Sequence, residues 1–274
     1  MKKIMCTPLV NKPLTTATAV LLAATASAQW LNYPTAGIPR TPDGKPNLAA
    51  PAPRTSAGKP DLSGLWEPMG EASSSFAGST ARDPKFADIS LETKGGLPFQ
   101  PWAADLVKTR RADLNKDDPD SQCHPLGAIK MHLHPYPRKM IQTPGLLVIL
   151  FERDTAYRQI FTDGRPLPVD PQPGFNGYST GQWEGDTLVV QTIGFKDGTW
   201  LDVSGTPLTD AAKVTERFRR PSFGRLEIDI TIDDPKAYTK PWSIRVNQSF
   251  AADTDMMEFV CLENERDALH LVGK

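Results

Sequence analysis

The chain has 274 residues, a formal net charge of −1, 26 prolines and three cysteines. So even a balance supplies no basic face, which argues against a nucleic-acid partner. No stretch is long and apolar enough for a bilayer-spanning helix.

The first 28 residues read as a signal peptide. Lys2, Lys3 and Lys12 form a basic start, a mostly apolar run follows, and Ala26-Ser27-Ala28 fits the small-x-small cleavage rule. Cys6 comes too early in that run for a lipid anchor. The expectation is an exported protein, periplasmic or secreted. Cleavage after Ala28 removes three lysines and takes the net charge from −1 to −4. Cys123 and Cys261 remain, and an oxidising compartment lets them pair. The alternative is two buried thiols.

Residues 29–60 are Pro-rich and carry a short repeat. PRTPDGKPNLAAPA at 39–52 is followed in register by PRTSAGKPDLSGLW at 53–66. Two copies are too few for a solenoid, and so many prolines favour extended backbone. The segment is expected to be a linker or an arm along the domain. Ser73–Ser79 reads as a loose loop.

A barrel domain is expected over residues 61–274. PWAADLVKTRRADLNKD predicts a helix with Pro101 in its first turn and Trp102, Leu106 and Leu114 near one face. Beyond Pro137 the pattern turns to strands: MIQT, LLVILFE, YRQIFTD, DTLVVQTIGF, KVTERFRR, RLEIDITID, WSIRVNQSF and MMEFVCLEN. RLEIDITID sends Leu226, Ile228, Ile230 and Ile232 to one face and charges to the other, as an antiparallel sheet with one wet face requires. With a strand near Leu62–Trp66, roughly eight to ten strands are enough to close a barrel. The fold class is therefore all-β, an antiparallel barrel with one packed helix, with a β-sandwich as the alternative.

Gly64-Leu65-Trp66, in DLSGLWEP, resembles the Gly-x-Trp of the first strand in lipocalins and related calycin barrels. That resemblance implies a Trp packed across the closed end of the barrel under a late arginine, for which Arg266 is the candidate. DLSGLW with GYSTGQWEGDTLVVQTIGF is also similar to a family of exported bacterial proteins. It covers most of residues 60–245 and brings no assigned catalytic residues.

Several residues carry candidate chemistry. In KMHLHPYPR, a strand would place His132 and His134 on one face, as two ligands of zinc or another divalent metal, with His124 or Glu152 as a third. Pro135 and Pro137 argue for an irregular segment and a solvated pair instead. In LLVILFERDTAYRQIF, a turn over Arg153–Ala156 brings Glu152 and Arg158 close together. Glu152 would then be a desolvated general acid oriented by Arg158; the plain alternative is a cross-strand ion pair. Tyr178 and Trp183 offer rings to a ligand, or else Trp183 is core. In KVTERFRR, Glu216 and Arg217 lie on opposite faces of one strand, and an inward one suggests a site. No Gly-x-Ser-x-Gly elbow and no phosphate-binding glycine loop is present. The function expected is an exported barrel binding a small apolar or aromatic molecule. It would be an enzyme doing non-covalent acid–base chemistry (lyase, isomerase or hydratase) with Glu152, Arg158, His132 and His134. A carrier without catalysis and a metal-dependent hydrolase are the alternatives.

Overall fold

The computed structural model describes residues 33–69, 84–93, 95–261 and 263. The proposed signal peptide, the Ser73–Ser79 loop and Arg266 lie outside them.

Nine strands close a barrel: β1 (Gly64–Pro68), β2 (Arg138–Thr143), β3 (Leu146–Phe151), β4 (Tyr157–Phe161), β5 (Tyr178–Glu184), β6 (Thr187–Ile193), β9 (Lys213–Ser222), β10 (Arg225–Asp233) and β11 (Trp242–Phe250). A small ribbon, β7 (Thr199–Trp200) with β8 (Pro207–Leu208), is inserted between β6 and β9. The alternation read from the sequence sets the interior. Leu226, Ile228, Ile230 and Ile232 on β10 point inward, as do Ile244 and Val246 on β11. Outside, Arg217 pairs with Glu184 and Arg245 with Asp229.

The barrel is mixed rather than wholly antiparallel. β4 and β5 run parallel, through Ile160↔Ser179 and Phe161↔Thr180. A hairpin would have reversed the chain there. Instead the connection through Pro166, Pro168, Pro171 and Pro173 brings the chain round so that β5 starts beside β4 in the same direction. Gly181 fits this junction: a Cβ there would lie 3.1–3.3 Å from Leu188, Thr162 and Ile160.

The expected helix forms as α2 (Pro101–Ala112), with Pro101 at its start, but its packed face differs. Ala103 and Val107 are buried, while Trp102 and Leu114 are exposed. The Trp102 indole instead donates to the Lys236 carbonyl at 2.8 Å. Small residues let the helix lie close, and Leu114 falls past its end at φ +58°. A second short helix, α1 (Pro84–Ala87), precedes it. The described residues of MMEFVCLEN, 256–261 and 263, do not form a strand. They run as an irregular strap, because β11 already closes the barrel against β1.

The repeated segment is an arm built as two similar tight loops. Thr41 donates its N–H to Lys45 O and Asn47 to Pro39 O; Thr55 and Asp61 do the same to Lys59 O and Pro53 O. In each loop the arginine donates back to a glycine carbonyl, Arg40 to Gly44 and Arg54 to Gly58. Each also reaches an aspartate elsewhere, Asp253 and Asp186 respectively. The arm docks on the β9–β10 turn, where Phe223 and Gly224 donate to Ala50 O and Leu48 O.

Beside this dock lies Trp66, fully buried, its indole donating to Leu62 O at 3.0 Å. The guanidinium over it, 4.8 Å from the ring centre, belongs to Arg220 of β9. Arg220 also donates to the carbonyls of Asp61, Ser63 and Phe223. Arg266, the candidate for this role from the calycin resemblance, lies outside the described residues. Gly64 is required two residues before Trp66: its φ is +145°, and a Cβ would stand 2.5 Å from the Phe250 ring.

Candidate functional site

The inward face of β9 reads Val214, Glu216, Phe218, Arg220, all buried. This parity settles the register left open by the sequence. Glu216 faces the interior with no exposed surface, and Arg217 lies outside in its surface pair with Glu184. Arg158 comes from β4, opposite Ile149 of β3, and also points inward.

Arg158 and Glu216 form a forked ion pair. Nη1 donates to Glu216 Oε1 at 3.0 Å, and Nη2 donates to Oε2. Arg158 also donates from Nε and Nη2 to Ser179 Oγ at 3.3 and 3.1 Å, and from Nη2 to Thr192 Oγ1 at 3.0 Å. Ser179 and Thr192 are bonded to each other at 2.9 Å. A buried charge pair is tolerable only when its remaining donors and acceptors are met in this way.

His132 completes the cluster. It lies in a single helical turn, α3 (Lys130–Leu133), not on a strand. Pro135 and Pro137 keep the following residues out of β2 until Arg138. This turn is inserted over the barrel interior, and every residue of it is buried. The His132 ring stands 2.9 Å from Glu216 Oε1 through Nε2. Its carbonyl accepts from Arg138 Nη1 at 2.7 Å and from Gln248 Nε2 at 2.9 Å. Among the described residues its buried Nδ1 has no hydrogen-bond partner.

Electrostatics assign the protonation states. Burial pushes the Glu216 carboxyl up, but the Arg158 charge and the hydrogen bonds from His132 and Arg158 together hold it at about 2. Burial pushes the His132 imidazole below its ordinary range; the attraction of Glu216 opposes this, and the Arg138 and Arg158 charges add to it. Glu216 is thus a carboxylate and His132 a neutral imidazole. A carboxylate only accepts, so the imidazole proton sits on Nε2 and Nδ1 carries the lone pair.

The other candidates lie elsewhere. The His134 ring does not share a face with that of His132. It stacks on Tyr136 at 5.0 Å and meets Phe86 edge-to-face at 4.9 Å, because the helical turn rotates the two residues apart. His124 is exposed near Phe175. Among the described residues no group of three His, Cys, Asp or Glu is placed to hold a metal. Glu152 and Arg158 are not bonded to each other. Arg153–Thr155 form a short 3₁₀ turn past the end of β3, and Glu152 is the buried residue that precedes it. There its Oε2 accepts from the Met257 N–H at 3.0 Å, and burial raises its carboxyl above the usual range. Tyr178 lies on the outer side of β5, stacked on Phe161 at 5.4 Å. Trp183 is partly buried against the core. Sequence reasoning did not name Ser179, Thr192, Arg138 or Gln248. A period-two reading of β5 and β6 sends the two hydroxyls inward, but only the closed barrel brings those strands to Arg158.

Cys123 and Cys261 form a disulfide. It fastens the strap after β11 to the loop before α3. Phe259 lies 5.0 Å from Tyr136, and Arg153 lies over the Phe259 ring at 4.6 Å.

No protein-family model matches the chain, nor does any curated protein or solved structure.

Proposed function

We propose that the protein is an exported barrel that binds a small, largely apolar molecule and does acid–base chemistry on it, with His132 as the proton-transferring group. One observation carries this reading: a neutral imidazole, locked to an ionised carboxylate through Nε2, keeps an unpartnered lone pair on Nδ1 at full burial. Such a group can accept a proton from a bound molecule and return it, as a lyase, isomerase or hydratase requires. Glu216 orients the ring and stabilises the imidazolium once it forms. Arg158 holds Glu216 ionised. Glu152 is not part of this centre. A ligand reaches Nδ1 when the turn carrying His132 shifts, since the ring itself has no exposed surface.

A second reading is a carrier that binds without turnover. It is favoured by the completeness of the Arg158 bonds to Glu216, Ser179 and Thr192, which suit a fixed structural pin. One experiment separates the two. A library of small neutral apolar molecules is screened by thermal shift against wild type and His132→Gln, and each binder is followed for conversion by mass spectrometry. The enzyme reading expects binding by both proteins and conversion by wild type alone. Binding without conversion supports the carrier, and the absence of any binder sinks both.

A further inference from the structure

The disulfide stands apart from the barrel's hydrogen-bonded ladders. Cys123 closes a short 3₁₀ turn over Pro119–Gln122, and Cys261 lies in the irregular strap. Both residues are half-buried, and Cys123 has exposed neighbours in Gln122 and His124. Cys261 lines an open surface groove of about 370 Å³ with Asp120, Arg153 and Phe259. Arg153 Nη2 stands 3.8 Å from Cys261 Sγ and is itself fixed by the Asp120 carboxylate, with Nε at 3.1 Å. A cation beside a departing sulfur favours its departure as a thiolate, and a stabilised thiolate leaves faster in exchange. Among the described residues no such cation contact is present at Cys123.

The strap is otherwise lightly held near the disulfide. Met257 N–H donates to Glu152, Phe259 packs on Tyr136 and Arg153, and Lys139 makes an exposed pair with Asp255. These contacts fall on Tyr136 and Lys139, which follow the His132 turn, and on Glu152 and Arg153 past the end of β3.

We propose that Cys123–Cys261 is a thiol-exchange site: a dithiol opens it without unfolding the barrel, Cys261 is the leaving thiol, and opening frees the strap from Glu152 and Tyr136. A thiolate of the dithiol attacks Sγ of Cys123, the Cys123–Cys261 bond breaks, and Cys261 departs as a thiolate beside Arg153. The second thiol of the reagent then attacks its own sulfur in the mixed disulfide and releases Cys123. The reagent ends as a cyclic disulfide, and the protein has gained two electrons and two protons. The inference stands whether or not the barrel turns over a substrate.

The test uses the full chain without denaturant. It is titrated with dithiothreitol, trapped with limiting iodoacetamide at mildly acidic pH, and mapped by mass spectrometry. Hydrogen exchange is measured on the same samples. Wild type should label Cys261 several-fold ahead of Cys123. Arg153→Gln should abolish that preference, and Arg153→Lys, which keeps the cation, should retain it. Exchange at the Met257 amide and around Tyr136 should rise on reduction while β9–β11 stay protected, and a Cys123→Ser/Cys261→Ser double variant should reproduce this pattern without reductant. Reduction that needs denaturant overturns the proposal. So does equal labelling in wild type, or a Met257 amide that stays protected once both thiols are free.

Discussion

At the scale of single residues the interior cluster sets the stability of the molecule as well as its chemistry. Glu216→Gln leaves the Arg158 charge buried without its counter-charge and should cost about 3–5 kcal/mol. Replacing both, as Arg158→Met with Glu216→Leu, should cost far less, since a filled apolar site replaces a pair that was expensive to desolvate. Urea unfolding of the two variants measures the contrast, and equal losses would contradict a coupled pair. The pH dependence follows from the same groups. The native His132 stays neutral where the unfolded imidazole takes up a proton, so stability falls as pH drops below the ordinary value of 6.5. The Glu216 contribution is complete above 4.5 and is lost as pH falls towards about 2. Glu152 acts in the opposite sense. Its raised native value adds stability below 4.5 that disappears as pH rises through that value. Unfolding midpoints between pH 7 and 5 should therefore fall in wild type and fall less in His132→Gln. Arg158 and Glu216 were both legible in the sequence, yet their partnership was not. Sequence proximity tied Arg158 to Glu152, whereas a one-residue step of a strand decides which side chains meet inside a barrel.

At the scale of elements the strands were readable because alternation is imposed by burial on one face. The parallel β4–β5 contact was not, since a Pro-rich connection states only that the chain is extended and not where it returns. The His132 segment shows a related limit: His-x-His fits a period of two and Pro135 and Pro137 argue for an irregular segment, but neither pattern specifies the one turn of helix that precedes the prolines. The 14-residue repeat, by contrast, marks two copies of one loop, and its Arg-to-Gly closure recurs in both. The first strand offers a clean test. Gly64→Ala meets both a positive φ and the Phe250 ring, so it should destabilise by more than about 1 kcal/mol. A urea midpoint equal to wild type would show that β1 and β11 separate at little cost.

At the scale of the whole molecule the disulfide spans 138 residues of sequence. In the chain-entropy model a loop of that length stabilises the fold by about 5 kcal/mol, chiefly by restricting the unfolded chain. A Cys123→Ser/Cys261→Ser variant should lose a large part of that in urea unfolding while keeping its barrel circular-dichroism spectrum. An unchanged midpoint would mean that the unfolded chain is already compact around those residues.

The pairing of β1 with β11 has a consequence in time. Trp66 meets Phe250, so the seam of the barrel joins residues near the two ends of the strand order. A chain emerging from its N-terminus has an open β1 edge until β11 is available, and loop closure over that distance is slow to be rewarded by contacts. Closure is therefore a late event that follows synthesis of residue 250. Until then the half-built sheet has two unpaired edges, the condition in which strands recruit one another between chains.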